Sequence, residues 1–459
     1  MIHRYQKKGL NFVLDVNSGA VHLLDDISYA VSGLLDENMG DTCPQSIIDA
    51  LPDYTADEIR EAYDELYELK KAGQLFAQDD YIDVSRYIPV NAPVKALCLH
   101  VAHDCNLRCQ YCFASTGDFG QGRKIMPPEI AKKAIDFVIA RSGVRHNIEV
   151  DFFGGEPLMA WDTVTQTVDY ARSLEEKYNK KFRFTITTNG LLLDEDKRKY
   201  INENMDTCVL SLDGRREVND EFRKTVAGTG SYDTIVPKFK ALVDERDPNL
   251  DYYARGTFTS HNLDFAEDVL SIADAGFDRL SVEPVTADPG CGYDLTEDDL
   301  PKIEAEYDRL TDIMLERKKE GKPFTFFHFM VDLDQGPCVV KRLRGCGAGY
   351  EYVAVTPDGD IYPCHQFVGK DEFKQGSVLD QSFNMDIAQK FAGMNIYSRP
   401  KCQKCWAKFY CSGGCSAANY NMNHDMNDSY DLGCEMERKR LECAIYLKAM
   451  DKICANQSK

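Results

Sequence analysis

Residues 103–113 read HDCNLRCQYCF and bring three cysteines, Cys105, Cys109 and Cys112, into one short run with CxxxC and CxxC spacing. A run of this length forms a single loop, so its thiolates can bind one metal cluster. A [4Fe–4S] cluster takes four ligands when all its irons are saturated, so three cysteines leave one iron open to another ligand. A zinc site and three buried core thiols are the alternative interpretations, because cysteine is common in both.

Composition and charge exclude several classes of protein. The chain has 459 residues, of which 43% are hydrophobic and 28% charged, which is typical of a soluble globular protein with two or three domains. Its net charge of −21 argues against nucleic acid as a partner, since that binding depends on Lys and Arg. No apolar run approaches the roughly 18 residues of a membrane span. The N-terminus lacks the apolar segment of a signal peptide.

We therefore expect a cytoplasmic protein that contacts no membrane. The chain contains 17 cysteines. In the reducing cytosol, cysteines in this number indicate metal sites rather than disulfides.

The first 90 residues are predicted to form a small domain. Segments 2–6 and 11–16 alternate apolar and polar residues, and a turn at 17–19 leads to a strand at 20–24, which together indicate a hairpin. Helices are expected at about 26–37 and 56–72, with a short strand at LFAQ, residues 75–78. This layout suits a winged helix. Seven Lys and Arg against 17 Asp and Glu, a net of −10, argue against DNA binding.

Residues 91–325 alternate strand and helix six times. The predicted strands are VKALCLHV (94–101), IEVDFFG (148–154), FRFTITTN (182–189), CVLSLDG (208–214), YYARGTFT (252–259) and RLSVEPV (279–285). Strands separated by helices predict right-handed crossovers and a parallel sheet, and therefore an α/β fold. Functional groups are then expected at the carboxyl ends of the strands, as in complete (β/α)₈ barrels. The cysteine loop follows the first of these strands.

Polar groups and glycines follow the next three strands. Gly154-Gly155-Glu156-Pro157 ends the second, Thr187 and Asn189 end the third, and Ser211 ends the fourth, with Arg223 downstream. Glycines let the backbone approach a ligand closely, and a guanidinium can bond both oxygens of a carboxylate. Taken singly, these signals are weak, and for Thr187 and Arg223 a solvated loop residue explains the pattern nearly as well.

Residues 326–459 contain a second group of cysteines. The spacing is CX₁₂GX₄C for Cys346, Gly359 and Cys364, then CX₂CX₅CX₃C for Cys402, Cys405, Cys411 and Cys415, followed by Cys434. Apolar periodicity is weak here, so bound metal is expected to supply much of the stability. A pair of zinc sites is the alternative. A polar helix is predicted near 435–453.

These motifs together resemble the radical S-adenosylmethionine (SAM) enzymes that carry a C-terminal SPASM domain. The resemblance rests on CxxxCx(aromatic)C with Tyr111 as the aromatic residue, on GGEP and SLDG at the strand ends, and on the seven-cysteine spacing. It implies a partial (β/α)₆ barrel at 91–325 and an irregular SPASM domain with a closing helix at 326–459. Residues 1–90 resemble a PqqD-like recognition element, which binds the leader of a precursor peptide as an added strand.

The resemblance also implies SAM and three [4Fe–4S] clusters as cofactors. Cys105, Cys109 and Cys112 would hold the cluster whose open iron chelates SAM and whose electron releases a 5′-deoxyadenosyl radical. The implied SAM contacts are Tyr111 on the adenine, Gly154, Gly155 and Glu156 at the ammonium, Thr187 and Asn189 at the ribose or methionine, and Ser211 and Arg223 at the carboxylate. The implied ligands of the auxiliary clusters are Cys402, Cys405, Cys411 and Cys434 for one, and Cys346, Cys364 and Cys415 for the other.

Cys338 is a candidate fourth ligand of the second auxiliary cluster. Seven residues separate it from Cys346. We predict that Cys338 is not bound, so that one iron stays open to a substrate thiolate.

Within this group the chain most resembles the thioether-forming maturases of six-cysteine (SCIFF) precursor peptides, also called CteB-like. The implied reaction joins a Cys sulfur to a Thr carbon in a ribosomally made, cysteine-rich peptide of the sactipeptide type. An external donor such as flavodoxin or ferredoxin would supply electrons. One alternative is an anaerobic sulfatase maturase, which makes formylglycine and normally lacks the N-terminal domain. The other is a non-catalytic iron–sulfur electron carrier, which would have no use for GGEP and SLDG.

Overall fold

The computed structural model describes residues 1–83, 92–333 and 339–457, and the chain divides into two compact units. The first unit comprises Met1–Tyr87, Phe329–Gly345 and Met394–Lys459, and the second comprises Ile88–His328 and Cys346–Gly393. Each unit is thus assembled from segments that are distant in sequence. Among the described residues, no helix has the length and apolar character needed to cross a bilayer. The domain boundaries of the sequence analysis remain predictions.

The first unit begins with a three-stranded antiparallel sheet. Strand β1 (Ile2–Lys7) pairs with β2 (Leu10–Asp15), which pairs with β3 (Val21–Leu24). The α-helices of this unit are Asp26–Ser32, Gln45–Ala50, Ala56–Lys71, Val339–Arg344, Pro400–Gln403, Lys408–Cys411, Ser416–Asn423 and Asp431–Gln457. The predicted hairpin and the helices near 56–72 and 435–453 are confirmed, whereas the helix predicted at 26–37 ends at Ser32.

The strand predicted at residues 75–78 is wrong. Phe76 adopts a left-handed conformation with φ 52°, which breaks the extended backbone that a strand requires. The neighbouring residue is held by side chains instead. The Ala77 N–H donates to Asp15 Oδ2 (3.2 Å), and its carbonyl accepts from Asn17 Nδ2 (2.8 Å).

The second unit is built on a large, mainly parallel sheet. Its parallel strands lie in the order β11 (Thr325–Phe326), β10 (Arg279–Pro284), β9 (Asp251–Phe258), β8 (Thr207–Ser211), β7 (Lys181–Thr188), β6 (Asn147–Gly154), β4 (Ala96–His103) and β12 (Tyr352–Val355). Antiparallel β13 (Asp360–Tyr362), β14 (Gly376–Ser377) and β15 (Ser382–Phe383) extend it, and β5 (Lys124–Ile125) pairs with β4. The six strands predicted for residues 91–325 are confirmed.

Helices connect the parallel strands of the second unit, as the sequence predicts. Its α-helices are Pro128–Arg141, Trp161–Tyr178, Glu195–Asn204, Arg216–Phe222, Tyr232–Asp244, Phe265–Asp274, Leu300–Lys319 and Met385–Gly393. The segment that contains Cys346 and Cys364 contributes β12 and β13, so it continues the barrel sheet beyond β4.

Strand periodicity decides which residues can reach a site on one face of the parallel sheet. Along β6 and β7, alternate side chains are fully buried, among them Phe152, Phe184 and Ile186. Because successive side chains of a strand point to opposite faces, Asp151 and Thr187 lie on the other, half-buried face. This alternation leaves a polar inner surface on an otherwise apolar sheet.

Candidate functional site

The cysteine loop begins directly after β4 and is held by the segments that follow other strands. Asn189, just after β7, donates through Nδ2 to Asn106 Oδ1 (2.7 Å) and lies 3.6 Å from Cys105 Sγ. The Arg108 N–H donates to the carbonyl of Lys224 (2.7 Å). The loop is therefore fixed at the carboxyl end of the parallel sheet, where the sequence predicts the site.

The three thiols of this loop form one group. Burial raises the pKa of Cys105 to about 12, and the neighbouring charges of Glu156, Cys109 and Cys112 add to the effect. Burial also raises the pKa of Cys109 to about 11, although Arg223 acts in the opposite direction. Metal ligation deprotonates a thiol, so a bound cluster would replace three neutral thiols by thiolates.

The GGEP turn packs against the cysteine loop through its backbone. The Gly155 N–H donates to the carbonyl of Ala102 (2.7 Å), and the Glu156 N–H donates to that of Asp104 (2.9 Å). Gly154 has φ +132°, and a Cβ at Gly155 would lie 2.1 Å from the Asp104 oxygen. Only glycine permits this approach. Both N–H groups are used here, so an ammonium, which needs acceptors, would have to meet carbonyl oxygens of the turn.

The Glu156 side chain has a structural role that the sequence did not reveal. Its carboxylate accepts hydrogen bonds from Thr188 Oγ1 (2.7 Å), the Asn189 N–H (2.8 Å) and the Leu158 N–H (3.0 Å). Burial raises its pKa, and these donors counteract the rise. Glu156 thus joins the ends of β6 and β7 and orients Asn189 toward Cys105.

A buried charged group lies beside the cysteine loop. Tyr111 donates its hydroxyl hydrogen to Asp213 Oδ2 (2.6 Å) and accepts from Arg223 Nη1 (2.9 Å). Asp213 and Arg223 are 1% and 7% exposed. Burial disfavours the charge on Arg223, but Tyr111, Cys109 and Asp213 favour it and hold its pKa above the ordinary value. The sequence analysis did not single out Asp213, although an acidic residue directly after a strand end is a usable signal.

The surroundings of Arg223 show whether the site can accept an anionic group. Its Nε is buried and has no hydrogen-bond partner among the residues that the structure describes. A buried guanidinium with an unused donor beside three cysteines suits a negatively charged cluster or a carboxylate. The donor set therefore fits an iron–sulfur cluster with SAM. The three cysteines and Arg223 would hold the cluster and its ligand.

The remaining predicted SAM contacts lie on neighbouring strands. Thr187 pairs with Val209 of β8, and Ser211, the last residue of β8, pairs with Arg255 of β9. Both are half-buried and on the polar face. The structure places them at the predicted ends of β7 and β8, and their contacts to SAM remain predictions.

The inner face carries further charged residues that the sequence analysis missed. Arg255 Nε donates to Glu283 Oε1 (3.1 Å). Burial raises the pKa of Asp151 to about 7, with Arg255 and a hydrogen bond from Cys98 opposing the rise. The signal was present in the strand alternation, since IEVDFFG places Asp151 opposite the apolar face. These groups can orient a polar substrate inside the barrel.

Four of the other cysteines converge in the first unit. The residues lining a cavity of about 320 Å³ there are Lys401, Cys402, Cys405, Ala407, Lys408, Cys411, Gly413, Asp431, Cys434, Glu437 and Arg438. Burial raises the pKa of Cys411 to about 12 and that of Cys434 to about 11. The cavity far exceeds the roughly 10–15 Å³ that one water needs. We refer to Cys402, Cys405, Cys411 and Cys434 as the four-cysteine site.

Polar groups contact the sulfurs of the four-cysteine site. Arg438 Nη1 lies 3.9 Å from Cys405 Sγ, and Ser429 Oγ lies 3.4 Å from Cys402 Sγ. Arg438 opposes the rise in the pKa of Cys434 that burial causes. A cation and a hydroxyl next to cysteine sulfurs suit a cluster with thiolate ligands, whose potential depends on charge and hydrogen bonding.

The three other predicted ligands are divided between the two units. Cys346 and Cys364 lie in the second unit, and Cys415 lies in the first. Cys338 lies outside the described residues. Among the residues that are described, no three His, Cys, Asp or Glu side chains are arranged to hold a single metal ion.

Comparison with known proteins identifies two domains. Residues 99–251 match the radical SAM superfamily, and residues 346–406 match the SPASM iron–sulfur cluster-binding domain. A cysteine-type anaerobic sulfatase-maturating enzyme of Clostridium novyi is 25% identical over 72% of this chain and 90% of its own length. The radical SAM cyclopropyl synthase TigE of Paramaledivibacter caminithermalis is 24% identical over 72% of this chain and 70% of its own.

Solved structures support the same fold. The enzyme anSMEcpe with bound AdoMet and Cp18Cys peptide has a TM-score of 0.62 and 21% identity, over 80% of this chain and all of its own. SuiB of Streptococcus suis bound to S-adenosylmethionine has a TM-score of 0.53 and 18% identity, over 94% of this chain and 97% of its own. The chain therefore has an α/β radical SAM fold with a parallel sheet and a SPASM domain.

Replacing Cys105, Cys109 and Cys112 together by Ala should abolish SAM cleavage and remove about four irons per chain, because these three cysteines are the predicted ligands of the cluster that binds SAM. Iron at the four-cysteine site should persist, since those ligands belong to the other unit. Iron analysis and detection of 5′-deoxyadenosine test both statements, with Cys43→Ala as the control. Continued cleavage in the triple variant would contradict the assignment.

Arg223→Gln should weaken SAM binding by at least about tenfold, since a hydrogen bond to a charged group contributes about 1.5–3 kcal/mol. Calorimetric titration of the reconstituted protein with SAM measures the change. Arg216→Gln is the matched control, because Arg216 begins the helix that ends just before Arg223 and forms an exposed ion pair with Asp233. Equal affinities in both variants would show that Arg223 does not contact the ligand.

Proposed function

We propose that this protein is a radical SAM maturase that forms a thioether between a Cys sulfur and a Thr carbon in a ribosomally made, cysteine-rich peptide. The observation that carries the proposal is the combination of a three-cysteine loop beside the buried Arg223 with a separate four-cysteine site and an N-terminal sheet whose strand β3, among the described residues, pairs with β2 alone. Each part serves one task of such a reaction, namely radical generation, electron transfer and peptide capture.

The residues of the barrel determine where chemistry occurs. When bound, SAM and its cluster supply a primary carbon radical that abstracts hydrogen from the nearest C–H group. The chain must therefore position the peptide, and effective catalysis depends on that placement. Arg255, Glu283 and Asp151 line the inner face and can bond polar groups of the peptide backbone. Thr187 and Ser211 lie nearer the strand ends, where SAM contacts are expected.

The N-terminal sheet offers a surface for a leader peptide. Within the described part of the chain, β3 pairs with β2 alone, so its other edge is free to accept an added strand. Leu23 on this strand is 42% exposed and can contact an apolar side chain of the leader. The first 90 residues, which we call the N-terminal module, are acidic and therefore favour a leader with basic residues. This interpretation gives the PqqD-like resemblance a physical basis.

Electron transfer is assigned to the auxiliary sites. Closing a thioether from a thiol and a carbon radical releases one proton and one electron. The auxiliary cysteine sites would accept this electron. We propose a reduced flavodoxin or ferredoxin as the external partner that supplies electrons to the barrel loop. If Cys338 is not a ligand, an iron left open in the second predicted auxiliary cluster would bind and deprotonate the substrate thiol.

Formylglycine formation on a sulfatase is the second candidate. It is favoured by the similarity to the sulfatase-maturating enzyme of Clostridium novyi, which spans 72% of this chain. The likeness to SuiB spans 94% of this chain and concerns the fold. A non-catalytic electron carrier is the third, and formation of 5′-deoxyadenosine from SAM would exclude it.

The product distinguishes the two enzymatic candidates. Incubation with SAM, reductant and a cysteine-rich peptide encoded beside the gene should yield a peptide that has lost two hydrogens per crosslink and retains all its sulfur. High-resolution mass spectrometry with fragmentation should locate each bond between Cys and Thr. A sulfatase peptide offered in parallel should stay unmodified. Loss of sulfur from either peptide, with an aldehyde as product, would favour formylglycine formation instead.

Leu23→Lys should weaken binding of the leader peptide by roughly tenfold, because the lost apolar contact is equivalent to about 1.5 kcal/mol. Fluorescence anisotropy with a labelled synthetic leader measures the affinity. Leu34→Lys is the matched control, since Leu34 is 46% exposed in the same module but lies outside the sheet. If the two variants bind the leader equally well, the edge of β3 is not the binding surface.

A further inference from the structure

The N-terminal sheet and the four-cysteine site share one hydrophobic core. The buried members of this core are Val16, Leu343, Ile396, Cys402 and Phe409, and Tyr81, Tyr397 and Trp406 pack against them. Val16 follows β2, and Cys402 is a predicted cluster ligand. A ligand thiol is thus packed directly in a core to which the N-terminal residues contribute.

His3 contacts the segment next to another ligand. Its ring stacks on Trp406 with centroids 3.7 Å apart and planes at 1°, and Trp406 directly follows Cys405. His3 Nε2 lies 2.9 Å from Glu442 Oε1 on the C-terminal helix. The imidazole therefore contacts both the indole ring that follows Cys405 in the chain and the C-terminal helix.

Asp79 makes a second contact of the same kind. It accepts from Lys408 Nζ (2.8 Å) and from the hydroxyl of Tyr397 (2.5 Å). The Lys408 side chain is only 4% exposed and lines the cavity of the four-cysteine site. Lys408 also begins the helix that ends at Cys411. Breaking a buried ion pair leaves an uncompensated charge, so the position of this helix depends on Asp79.

We propose that His3 and Asp79 are positioning residues of the four-cysteine site, so that the N-terminal module forms part of the scaffold of this metal site as well as the surface for peptide capture. This inference rests on one part of the proposed function, namely that the four-cysteine site holds an iron–sulfur cluster. Neither residue touches the sulfurs. His3 acts through Trp406 on Cys405, and Asp79 acts through Lys408 on Cys411.

A thermodynamic consequence follows from the shared scaffold. A cluster that binds the folded site stabilises whatever the site is built from, here including β1 and the segment around Asp79. Such coupling is reciprocal: if bound cluster changes the affinity of the N-terminal module for a peptide, the peptide changes the affinity for the cluster by the same factor. Peptide capture and electron transfer are then linked through Trp406 and Lys408.

The test for His3 uses the full-length, reconstituted protein. His3→Ala should expose the Cys405 side to water and shift the midpoint potential of one auxiliary cluster upward, because water stabilises the added charge of the reduced cluster. His3→Phe keeps an aromatic ring over Trp406 and should restore the wild-type potential. Potentiometric titration followed by electron paramagnetic resonance measures both. The matched control is His146→Ala, a histidine of the other unit that bonds the Asn179 carbonyl.

The test for Asp79 measures metal content. Asp79→Asn should lose about four irons per chain, which corresponds to one cluster. Asp79→Glu, which can still pair with Lys408, should retain more of the iron. The matched control is Asp57→Asn, an exposed aspartate of the same module that pairs with Arg60. Cleavage of SAM without peptide depends on the other unit, so it reports that the second unit of each variant has folded, and circular dichroism of each variant reports on the whole chain.

The outcomes separate this proposal from the proposed function. Suppose that the wild-type protein binds iron at the auxiliary sites, and that His3→Ala and Asp79→Asn have the same iron content and potential as the wild type. The positioning role is then refuted, while the proposed function stands. If His3→Phe fails to restore the potential that His3→Ala changes, the aromatic stack is refuted as the mechanism. A wild-type chain that binds iron only at the barrel loop would refute the proposed cofactor set and this proposal together.

Discussion

The fit of the GGEP turn against the cysteine loop is the constraint on which the site in the barrel depends. The backbone of residues 154–156 donates to the carbonyls of Ala102 and Asp104 at a distance that leaves no room for a Cβ at Gly155. This contact fixes where the loop leaves β4. The carboxylate of Glu156 extends the constraint to the end of β7, where Asn189 reaches Cys105. Two glycines and one buried carboxylate therefore set the positions of three thiols.

Local charge, and not the charge of the whole chain, suits the cysteine sites to anionic clusters. The protein carries a formal charge of −21, yet Arg223 lies beside Cys109 and Arg438 beside Cys405. Arg223 opposes the rise in the pKa of Cys109 that burial causes, and Arg438 opposes that of Cys434. A buried cation is costly unless it is paired, and Asp213 and Tyr111 provide the pairing at Arg223.

The assembly of the first unit from three separate segments changes how the N-terminal residues are understood. As a sequence, residues 1–90 resemble an independent module for peptide recognition. In the structure they share a core, an ion pair and an aromatic stack with residues that surround the four-cysteine site. Contacts of this kind stabilise both partners, so recognition and metal binding are expected to be interdependent in this protein.

The sequence by itself determined the features that depend on local spacing. The cysteine positions define candidate ligand sets, and apolar runs separated by helical patterns predict β4 and β6–β10, because each element has its own apolar period. Tertiary structure alone decided which distant groups meet. Asp213 with Tyr111 and Arg223, Glu156 with Asn189, and His3 with Trp406 all join residues that no periodicity relates. The strand predicted at LFAQ, residues 75–78, is wrong for the same reason, since contacts with Asp15 and Asn17 outweigh the strand propensity of this segment.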